Sequence, residues 1–420
     1  MTQIAGGCGR RRATFFATAL AGAVAAVTVF GGATASAGPT AAKRQLVTVT
    51  VNTLPISNGL PLDLGIKKGF FASQGIEINK RTLQSGNDIV LALANKNGDI
   101  GYVGWVPAMI ARTQGIPLTA IAASDVEGTS QADNWQNILV KGSSSIRTPA
   151  DLSGKTIAVN ALKGVGEVMI KAALKKRGVN PNSIRLTALP FPAMRSALNN
   201  GQVDVIWTPE PFMSQALNAD GARLVMVPGP VLGRYFPIGT YVGLDEWAAK
   251  NPGLARKFRT AINQSLAYAQ TNPNEVRELL PAATRNVRLP IWTPLIDRAL
   301  LSDLARYAKE YDVISTLPNL TRLVPASVTG GKTLQGTVGN GFITLRLDGK
   351  PVRTLPRGRY TFVVTDTSAT RNFKLLGPGV SKSTSVKGTG RSTWTVTLKK
   401  GKYTFSSGGR PVLKRTLVVR

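Results

Sequence analysis

Residues 155–178, KTIAVNALKGVGEVMIKAALKKRG, contain the change from strand to helix that decides the fold class. The β-branched segment 155–160 predicts a strand. A helix is predicted to follow it, because apolar residues recur at the i, i+3, i+4, i+7 spacing: Val165, Val168, Met169 and Ala172. Cations in the last turn, with Gly178 directly after them, are typical of a helix C-terminus.

The same alternation extends on both sides of this segment. Further strands are predicted at 46–51, 100–104, 118–123 and 203–207, with helical patterns between them. This order predicts an α/β body with mainly parallel sheets. In such sheets, ligands bind beyond the carboxyl ends of the strands, where helix N-termini present free N–H groups.

The composition excludes several classes of site. The chain has 420 residues, which suggests two or three domains, and its hydrophobic share of 43% is ordinary for a folded protein. It contains no histidine and a single cysteine, Cys8. Ser-His-Asp triads, Cys-His dyads and imidazole metal sites are therefore excluded, as are intrachain disulfides and thiolate clusters. We expect neither a metal nor another cofactor.

Residues 1–37 have the pattern of an export signal peptide. Three arginines at 10–12 precede an apolar stretch at 15–30, and Ala-Ser-Ala at 35–37 forms a cleavage site. A membrane anchor is the competing interpretation, but the stretch is shorter and less apolar than the ~20 residues that normally span a bilayer. We expect an exported protein, in the periplasm, at the cell surface or outside the cell. Either the Sec or the twin-arginine route fits.

Positive charge is concentrated near the C-terminus. Residues 327–420 contain 18 Lys and Arg against two Asp, whereas residues 38–326 contain 31 Lys and Arg against 20 acids. Near the same place, strand–helix alternation gives way to Thr/Val/Tyr strands separated by Gly and Pro. We therefore predict an α/β domain at 45–322, a linker at 323–331 and a basic β-sandwich domain at 332–420.

Five strand-to-helix junctions in the α/β body predict a common cleft. They are rich in Ser, Asn, Gly and Pro and comprise residues 53–59, 84–88, 104–107, 160–167 and 207–211. Each junction alone is explained by helix capping, with Ser85 or Asn87 as one such cap. Gly164-x-Gly166 lacks the full dinucleotide fingerprint, so a nucleotide site is not expected there. The occurrence of all five junctions in one domain favours a binding site.

Five segments, in this order, resemble a known family of binding proteins. They are GIKKGFFASQGI (65–76), GDIG (98–101), DLSGKTIAV (151–159), AMRSALNNGQVDV (193–205) and EPF (210–212). Across about 45–322 the chain resembles the substrate-binding proteins of ABC importers for nitrate, sulfonate, taurine, bicarbonate and thiamine-pyrimidine compounds. This implies a two-lobed type-2 periplasmic-binding fold. Lobe one would hold 45–135 and the helices after about 241, and lobe two would hold 136–229.

The resemblance also implies a site and a mechanism. The family's binding positions would fall on Ser57, Asn58, Ser85, Gly86, Trp105, Asn160, Val165 and Glu210. The lobes would close around one small solute, and the protein, expected to be a monomer, would then dock on an ABC permease in the membrane. Helix N-termini suit an anionic group such as a sulfonate, nitrate or carboxylate. An acid at Glu210 would suit a solute that also carries a donor or a cation.

The C-terminal part resembles a second family. Segments 366–380, DTSATRNFKLLGPGV, and 393–405, TWTVTLKKGKYTF, look like the strands of a cupredoxin, which implies a β-sandwich. Arg371 and Ser406 stand where that pattern has its first histidine and its cysteine ligand. A blue copper site needs two histidines and a cysteine, so we expect no copper site here.

The leading functional hypothesis is capture of a small, anionic solute for an ABC importer, without enzymatic activity. One relative in the superfamily builds the thiamine pyrimidine with its own histidine and bound iron, and the lack of histidine argues against that chemistry here. The alternative is a surface attachment protein with a degenerate cleft. Its basic β domain would bind an anionic cell-envelope polymer, anionic lipids or an acidic protein. Solubility alone is the other explanation of that charge, nucleic acid is not expected as a partner, and an exported enzyme lacks a convincing acid/base pair.

Overall fold

The computed structural model describes residues 45–420 except 129, 131, 234, 327, 329–331, 348–349 and 387–388. It also does not describe the side chains of residues 332, 333, 359, 391, 393 and 395. The predicted signal peptide at 1–37 therefore lies outside the described residues, and so does part of the predicted linker. Within the described residues, no helix is both long enough and apolar enough to cross a membrane.

The α/β part, up to Leu323, contains eleven described strands and thirteen helices. The strands are β1 (Val47–Thr53), β2 (Ile76–Thr82), β3 (Ile100–Gly104), β4 (Leu118–Val126), β5 (Gln136–Val140), β6 (Thr156–Val159), β7 (Arg185–Ala188), β8 (Val205–Pro209), β9 (Arg223–Met226), β10 (Pro237–Leu244) and β11 (Ile291–Trp292). The helices are α1 (Leu60–Lys67), α2 (Phe70–Ser73), α3 (Gly86–Ala94), α4 (Trp105–Thr113), α5 (Val165–Lys176), α6 (Phe191–Asn199), α7 (Phe212–Ala219), α8 (Gly229–Leu232), α9 (Asp245–Lys250), α10 (Pro252–Thr271), α11 (Pro273–Arg277), α12 (Arg298–Glu310) and α13 (Leu320–Leu323).

The strand-to-helix unit at 155–178 is confirmed. β6 and α5 fall within the predicted segments, and the apolar face of α5 is buried in the core. Gly178 follows the helix with a φ of +76°, a backbone conformation that glycine adopts without strain. The predicted strand at 100–104 matches β3, whereas β8 begins two residues later than the predicted 203–207 segment.

Two sheets divide the α/β part into two lobes. Lobe one is built on a six-stranded sheet in the order β11-β4-β10-β3-β1-β2, and lobe two on a five-stranded sheet in the order β7-β6-β8-β5-β9. The two-lobed α/β expectation is confirmed, but the prediction of mainly parallel sheets is wrong. β5 and β10 are the first strands after the chain crosses between lobes, and both pair antiparallel with their neighbours. Only the strands linked by crossover helices within a lobe run parallel.

The C-terminal part forms two further sheets. Its strands are β12 (Lys332–Val338), β13 (Ile343–Leu347), β14 (Lys350–Pro351), β15 (Thr354–Leu355), β16 (Gly358–Asp366), β17 (Phe373–Gly377), β18 (Val380–Ser383), β19 (Gly390–Leu398), β20 (Gly401–Ser407) and β21 (Lys414–Val419). One sheet has the order β14-β13-β12-β16-β19 and the other β15-β21-β20-β17-β18. Buried side chains of both sheets, including Phe362, Phe373 and Tyr403, form one core. The core of the α/β part extends to Val328, within the linker predicted at 323–331, and the second core begins at Leu334.

One sequence assignment in the β part needs correction. The guanidinium of Arg371 donates hydrogen bonds to the Oγ of Ser407 and to the carbonyl oxygens of Arg410 and Pro411. Ser407 is 2% exposed, whereas Ser406 lies one position earlier in β20 and is half-buried. Because side chains alternate along a strand, Ser407 rather than Ser406 faces Arg371. The arginine thus ties the start of β17 to the loop after β20.

Candidate functional site

A cavity lies between the two lobes. Its walls enclose about 500 Å³ of unfilled space, part of which is open solvent. Lobe one contributes Leu54, Ile56, Asn58, Gly86, Tyr102, Gly104, Pro107 and Ile238, and lobe two contributes Gln136, Asn160, Ala161, Gly164, Val165, Phe191, Trp207 and Pro209, with Trp135 at the crossing. The site therefore forms only when both lobes are in place.

Four helices begin at this cavity. Gly86 and Phe191 are the first residues of α3 and α6, and Gly104 and Gly164 directly precede α4 and α5. The first N–H groups of a helix have no partner within it, and they carry a partial positive charge. The cavity is therefore suited to a negatively charged group that accepts hydrogen bonds from backbone N–H groups.

Side chains of the cavity wall are apolar, aromatic or amide. Among the described residues that line it, none is charged. The rings of Tyr102, Trp135, Phe191 and Trp207 form much of the surface, and Phe191 lies against Trp207 with ring centroids 5.9 Å apart. An anion here would be neutralised by helix N-termini rather than by a lysine or an arginine. An organic body would contact the rings.

Asn58 lines the cavity and keeps a buried acceptor without a partner among the described residues. Its Nδ2 donates a hydrogen bond to Oδ2 of Asp125 at 2.6 Å, and the hydroxyl of Tyr102 donates to Oδ1 of the same carboxylate at 2.8 Å. Asn58 is fully buried, and its Oδ1 has no hydrogen-bond partner among the described residues. Burial raises the pKa of Asp125 to about 6, although the hydrogen bonds from Tyr102 and Asn58 act in the opposite direction.

Gln136 is held in a similar way on the other wall. Its Nε2 donates a hydrogen bond to Oε1 of Glu127, two residues beyond Asp125. Burial raises the pKa of Glu127 to about 8. Two neighbouring acids at the end of β4 therefore orient two amides of the cavity, one from each lobe.

The lobes touch at the cavity. A Cβ atom added to Gly104 would lie 2.7 Å from Cγ2 of Val165, which is on the opposite lobe. That distance is closer than carbon atoms approach without a shift of the backbone. The glycine thus allows the start of α4 to approach Val165 at the start of α5 across the cavity.

Glu210 joins the lobes away from the cavity lining. Its carboxylate accepts hydrogen bonds from the backbone N–H and hydroxyl of Ser214 and from the backbone N–H of Arg288. Its carbonyl oxygen accepts a bond of 2.9 Å from the backbone N–H of Ser57 in lobe one. Burial raises the pKa of Glu210, and these hydrogen bonds act against the rise. These contacts give it a structural role at the junction of the lobes.

The structure brings together half of the site residues expected from the sequence. Asn58, Gly86, Asn160 and Val165 line the cavity. Ser85 caps α3 by accepting a 3.1 Å hydrogen bond from the N–H of Asp88. Trp105, 2% exposed, instead lines a separate cavity of about 390 Å³ beside Asp125.

Several cavity residues were missed from the sequence. The quoted family motifs do not include Tyr102, Gln136 or Phe191, which line the cavity. They also do not include Asp125 and Glu127, the acids that accept from the amides. One signal was available, since Asp125 and Glu127 are acids at the end of an otherwise apolar strand. In the described part of the chain, no cluster of three or more acidic, Cys or His side chains could hold a metal ion.

The family model for NMT1/THI5-like proteins matches residues 57–276, slightly more than half of the chain. The chain belongs to this family. The taurine-binding periplasmic protein of Escherichia coli K12 is 29% identical over 210 residues, which cover 49% of this chain and 61% of that protein. The match thus covers less than two thirds of that relative's length.

A second curated protein and a solved structure are also similar to this chain. The yeast 4-amino-5-hydroxymethyl-2-methylpyrimidine phosphate synthase THI13 is 23% identical over 244 residues, 54% of this chain and 68% of that protein. The structure of the alkanesulfonate-binding protein SsuA from Xanthomonas axonopodis pv. citri, bound to MOPS, is also similar. The match covers 67% of this chain and 97% of the SsuA chain, with 20% identity and a TM-score of 0.55. The α/β part therefore has the periplasmic-binding-protein fold.

Proposed function

We propose that the protein captures a small organic solute outside the cytoplasm and delivers it to an ABC import permease. The solute carries an anionic group at one end and an N–H donor at the other. The observation that carries this proposal is the buried, unpartnered Oδ1 of Asn58, among the described residues, in a cavity where four helices begin. A sulfonate with an amine is the simplest solute of this kind.

The anionic end is assigned to the helix N-termini. Partial positive charges at the starts of α3, α4, α5 and α6 favour an anion without a buried cation as a partner. Nitrate and bicarbonate would also be attracted, but such small ions contact few of the aromatic rings. They would leave much of the apolar wall empty.

The donor end is assigned to Asn58. Since the carboxylate of Asp125 fixes its Nδ2, its Oδ1 can only accept. An unpaired buried acceptor costs about 1–3 kcal/mol, which a solute N–H group would recover. Glu210 was expected to meet this donor, but its carboxylate already accepts hydrogen bonds from Ser214 and Arg288, and we assign the role to Asn58 instead. Taurine and MOPS, named with two of the relatives, each contain a sulfonate and an amine nitrogen.

Binding rather than catalysis is the proposed activity. THI13 is named as a synthase, but both buried acids nearest the cavity are engaged by amide groups. The lack of histidine removes the commonest general acid/base side chain. We also propose that the protein is exported with removal of residues 1–37, that it docks on a permease and that it is a monomer.

Calorimetric titration with matched solutes tests the proposal. We expect 2-aminoethanesulfonate to bind with a micromolar or lower Kd, and ethanesulfonate, which lacks the amine, to bind at least 10-fold more weakly. That factor corresponds to about 1.4 kcal/mol. Sodium nitrate and bicarbonate should bind more weakly than either sulfonate.

Variants at Asn58 connect this preference to the residue. Asn58→Ala should bring the two sulfonates to within about 3-fold of each other, whereas Asn200→Ala, an exposed control, should keep the parent ratio. An unchanged ratio in Asn58→Ala would contradict the assignment of the donor end. Failure of every solute to bind the parent protein would contradict solute capture itself.

A further inference from the structure

The outer face of the sheet β15-β21-β20-β17-β18 carries three exposed lysines. Side chains alternate along each strand, so the residues between the buried Phe373, Leu375, Tyr403 and Leu417 point away from the core. Lys374, Lys402 and Lys414 are on this side, and all three are exposed. We call this surface the lysine face.

Strand register places these lysines in a defined arrangement. Lys374 is paired with Ser406, and Ser406 is paired with Lys414, so two lysines flank a serine across three strands. Neighbouring strands are about 4.8 Å apart, which puts the Cα atoms of the two lysines about 10 Å from each other. Lys402 is paired with Val418, which is four residues from Lys414 along β21. Lys402 and Lys414 are therefore about 13 Å apart in the direction of the strands.

Hydroxyl groups occupy the positions between the lysines. The register brings Ser383 beside Lys374, and it brings Thr404 between Leu376 and Thr416. The hydroxyl of Ser383 already accepts from Nδ2 of Asn372 and donates to the carbonyl oxygen of Thr384. The lysine face therefore combines positive charges with the hydroxyls of Thr404, Ser406 and Thr416, each of which can donate and accept a hydrogen bond.

Among the described residues, no acidic side chain forms an ion pair with these lysines. Residues 327–420 contain only Asp348 and Asp366 as acids. Asp366 is 4% exposed and accepts hydrogen bonds from the hydroxyl of Thr384 and the N–H of Ser368. Within the described residues, none of the three lysines forms an ion pair. Solubility does not require one sign, and acids serve it better than lysines do.

The surface chemistry favours a polymer over a membrane. Among the described residues of this face, the most exposed apolar side chain is Leu376, at 38%. Proteins that lie on membranes insert apolar or aromatic side chains below the headgroups, in addition to using basic residues. A surface of lysines and hydroxyls instead matches a chain of sugar units that carries negative groups at intervals.

We propose that the lysine face binds an anionic polysaccharide. The ammonium groups of Lys374, Lys402 and Lys414 pair with its carboxylate or phosphate groups, and the Ser and Thr hydroxyls bond to its sugar hydroxyls. This interaction is separate from the cavity between the lobes, and it would hold the protein on a polymer while the cleft remains open to solute.

The test compares two triple variants of the full exported chain. Lys374→Gln/Lys402→Gln/Lys414→Gln removes the face, and Lys350→Gln/Lys399→Gln/Lys400→Gln removes the same charge from exposed positions of the same domain. Binding is measured to immobilised polygalacturonate, to neutral dextran and to vesicles containing 30% phosphatidylglycerol. Thermal unfolding checks that both variants remain folded.

We expect the parent to bind polygalacturonate, with affinity falling as salt screens the charges, and to show at least 10-fold weaker binding to dextran. The face variant should lose at least 10-fold in affinity and the control variant less than 3-fold. Equal losses in both variants would overturn the proposal, because net charge alone would then explain binding. Absence of binding, or stronger binding to the vesicles than to polygalacturonate, would also overturn it.

Discussion

At the scale of single residues, two buried acids determine which end of two amides faces the cavity. Asp125 and Glu127 accept from the NH₂ groups of Asn58 and Gln136. The carboxylate of Asp125 can only accept, so the amide nitrogen of Asn58 must turn toward it. The oxygen of Asn58 is then left for a solute, and a change at the acid behind it should alter binding without touching the cavity surface.

The pKa of Glu127 predicts a specific dependence of stability on pH. It is about 8 in the native protein, raised by burial, whereas an unfolded glutamate has a pKa of about 4.3. Between these values the native state holds one more proton than the unfolded state. The free energy of unfolding should therefore fall as pH rises, by at most about 1.4 kcal/mol per pH unit, and this fall should stop above about pH 8.

Urea unfolding of the parent and Glu127→Gln between pH 5 and 9 measures this contribution. The variant keeps an acceptor for Gln136 and lacks the titration, so its stability relative to the parent should rise up to about pH 8 and then remain constant. The exposed Glu77→Gln serves as the control and should follow the parent at every pH. Parallel curves for Glu127→Gln and the parent would show that this carboxyl is not perturbed by burial.

At the scale of elements, the start of α5 is packed closely against the aromatic wall. A Cβ atom on Gly166 would lie 2.5 Å from Cε3 of Trp207, and Trp207 lines the cavity. The helix therefore positions both its own N–H groups and the indole ring. A glycine at this place is required by the close approach of the helix to β8 rather than by its φ angle.

Gly166→Ala should weaken solute binding because the added methyl group displaces the Trp207 ring. We expect a loss of at least 10-fold in affinity, measured by calorimetry, and a destabilisation of about 1–3 kcal/mol from overpacking. Gly253→Ala is the matched control, since a Cβ there meets no atom within 4 Å in the first turn of α10. Affinity in Gly166→Ala equal to that of the control would show that the ring does not contribute to the site.

At the scale of the whole molecule, the cleft and the β-sandwich use separate cores. All cavity residues fall between Leu54 and Ile238. The first buried cluster ends at Val328, and the second begins at Leu334. Each core is continuous within its own part of the chain. The division of charge follows the same boundary, with most of the uncompensated cations in 327–420.

Deletion of 332–420 should leave the affinity for solute within 2-fold of the parent, since the residues around the cavity all remain. Calorimetry on the shortened and full chains checks this, with circular dichroism to confirm that the α/β part is folded. Loss of binding in a folded, shortened protein would show that the β-sandwich supports the cleft, and the proposed domain division would then be wrong.

The sequence alone was sufficient for the alternation of strands and helices and for the family. The 155–178 segment forms its predicted strand and helix because periodicity and capping act within a few residues of each other. Asn58, Gly86, Asn160 and Val165 were expected at the site from the family resemblance, and all four line the cavity. They fall in the strand-to-helix junctions, which meet at one edge of a sheet.

Only the tertiary structure decided which side chains face the solute. Trp105 turns to another cavity, Glu210 bonds between the lobes, and the rings of Tyr102 and Phe191 complete the wall. These outcomes depend on how the two lobes come together. In each lobe, the first strand after the chain crosses over pairs antiparallel with its neighbours. The orientation of a side chain at a helix start is set by the packing of the opposite lobe, and that contact joins residues far apart in sequence.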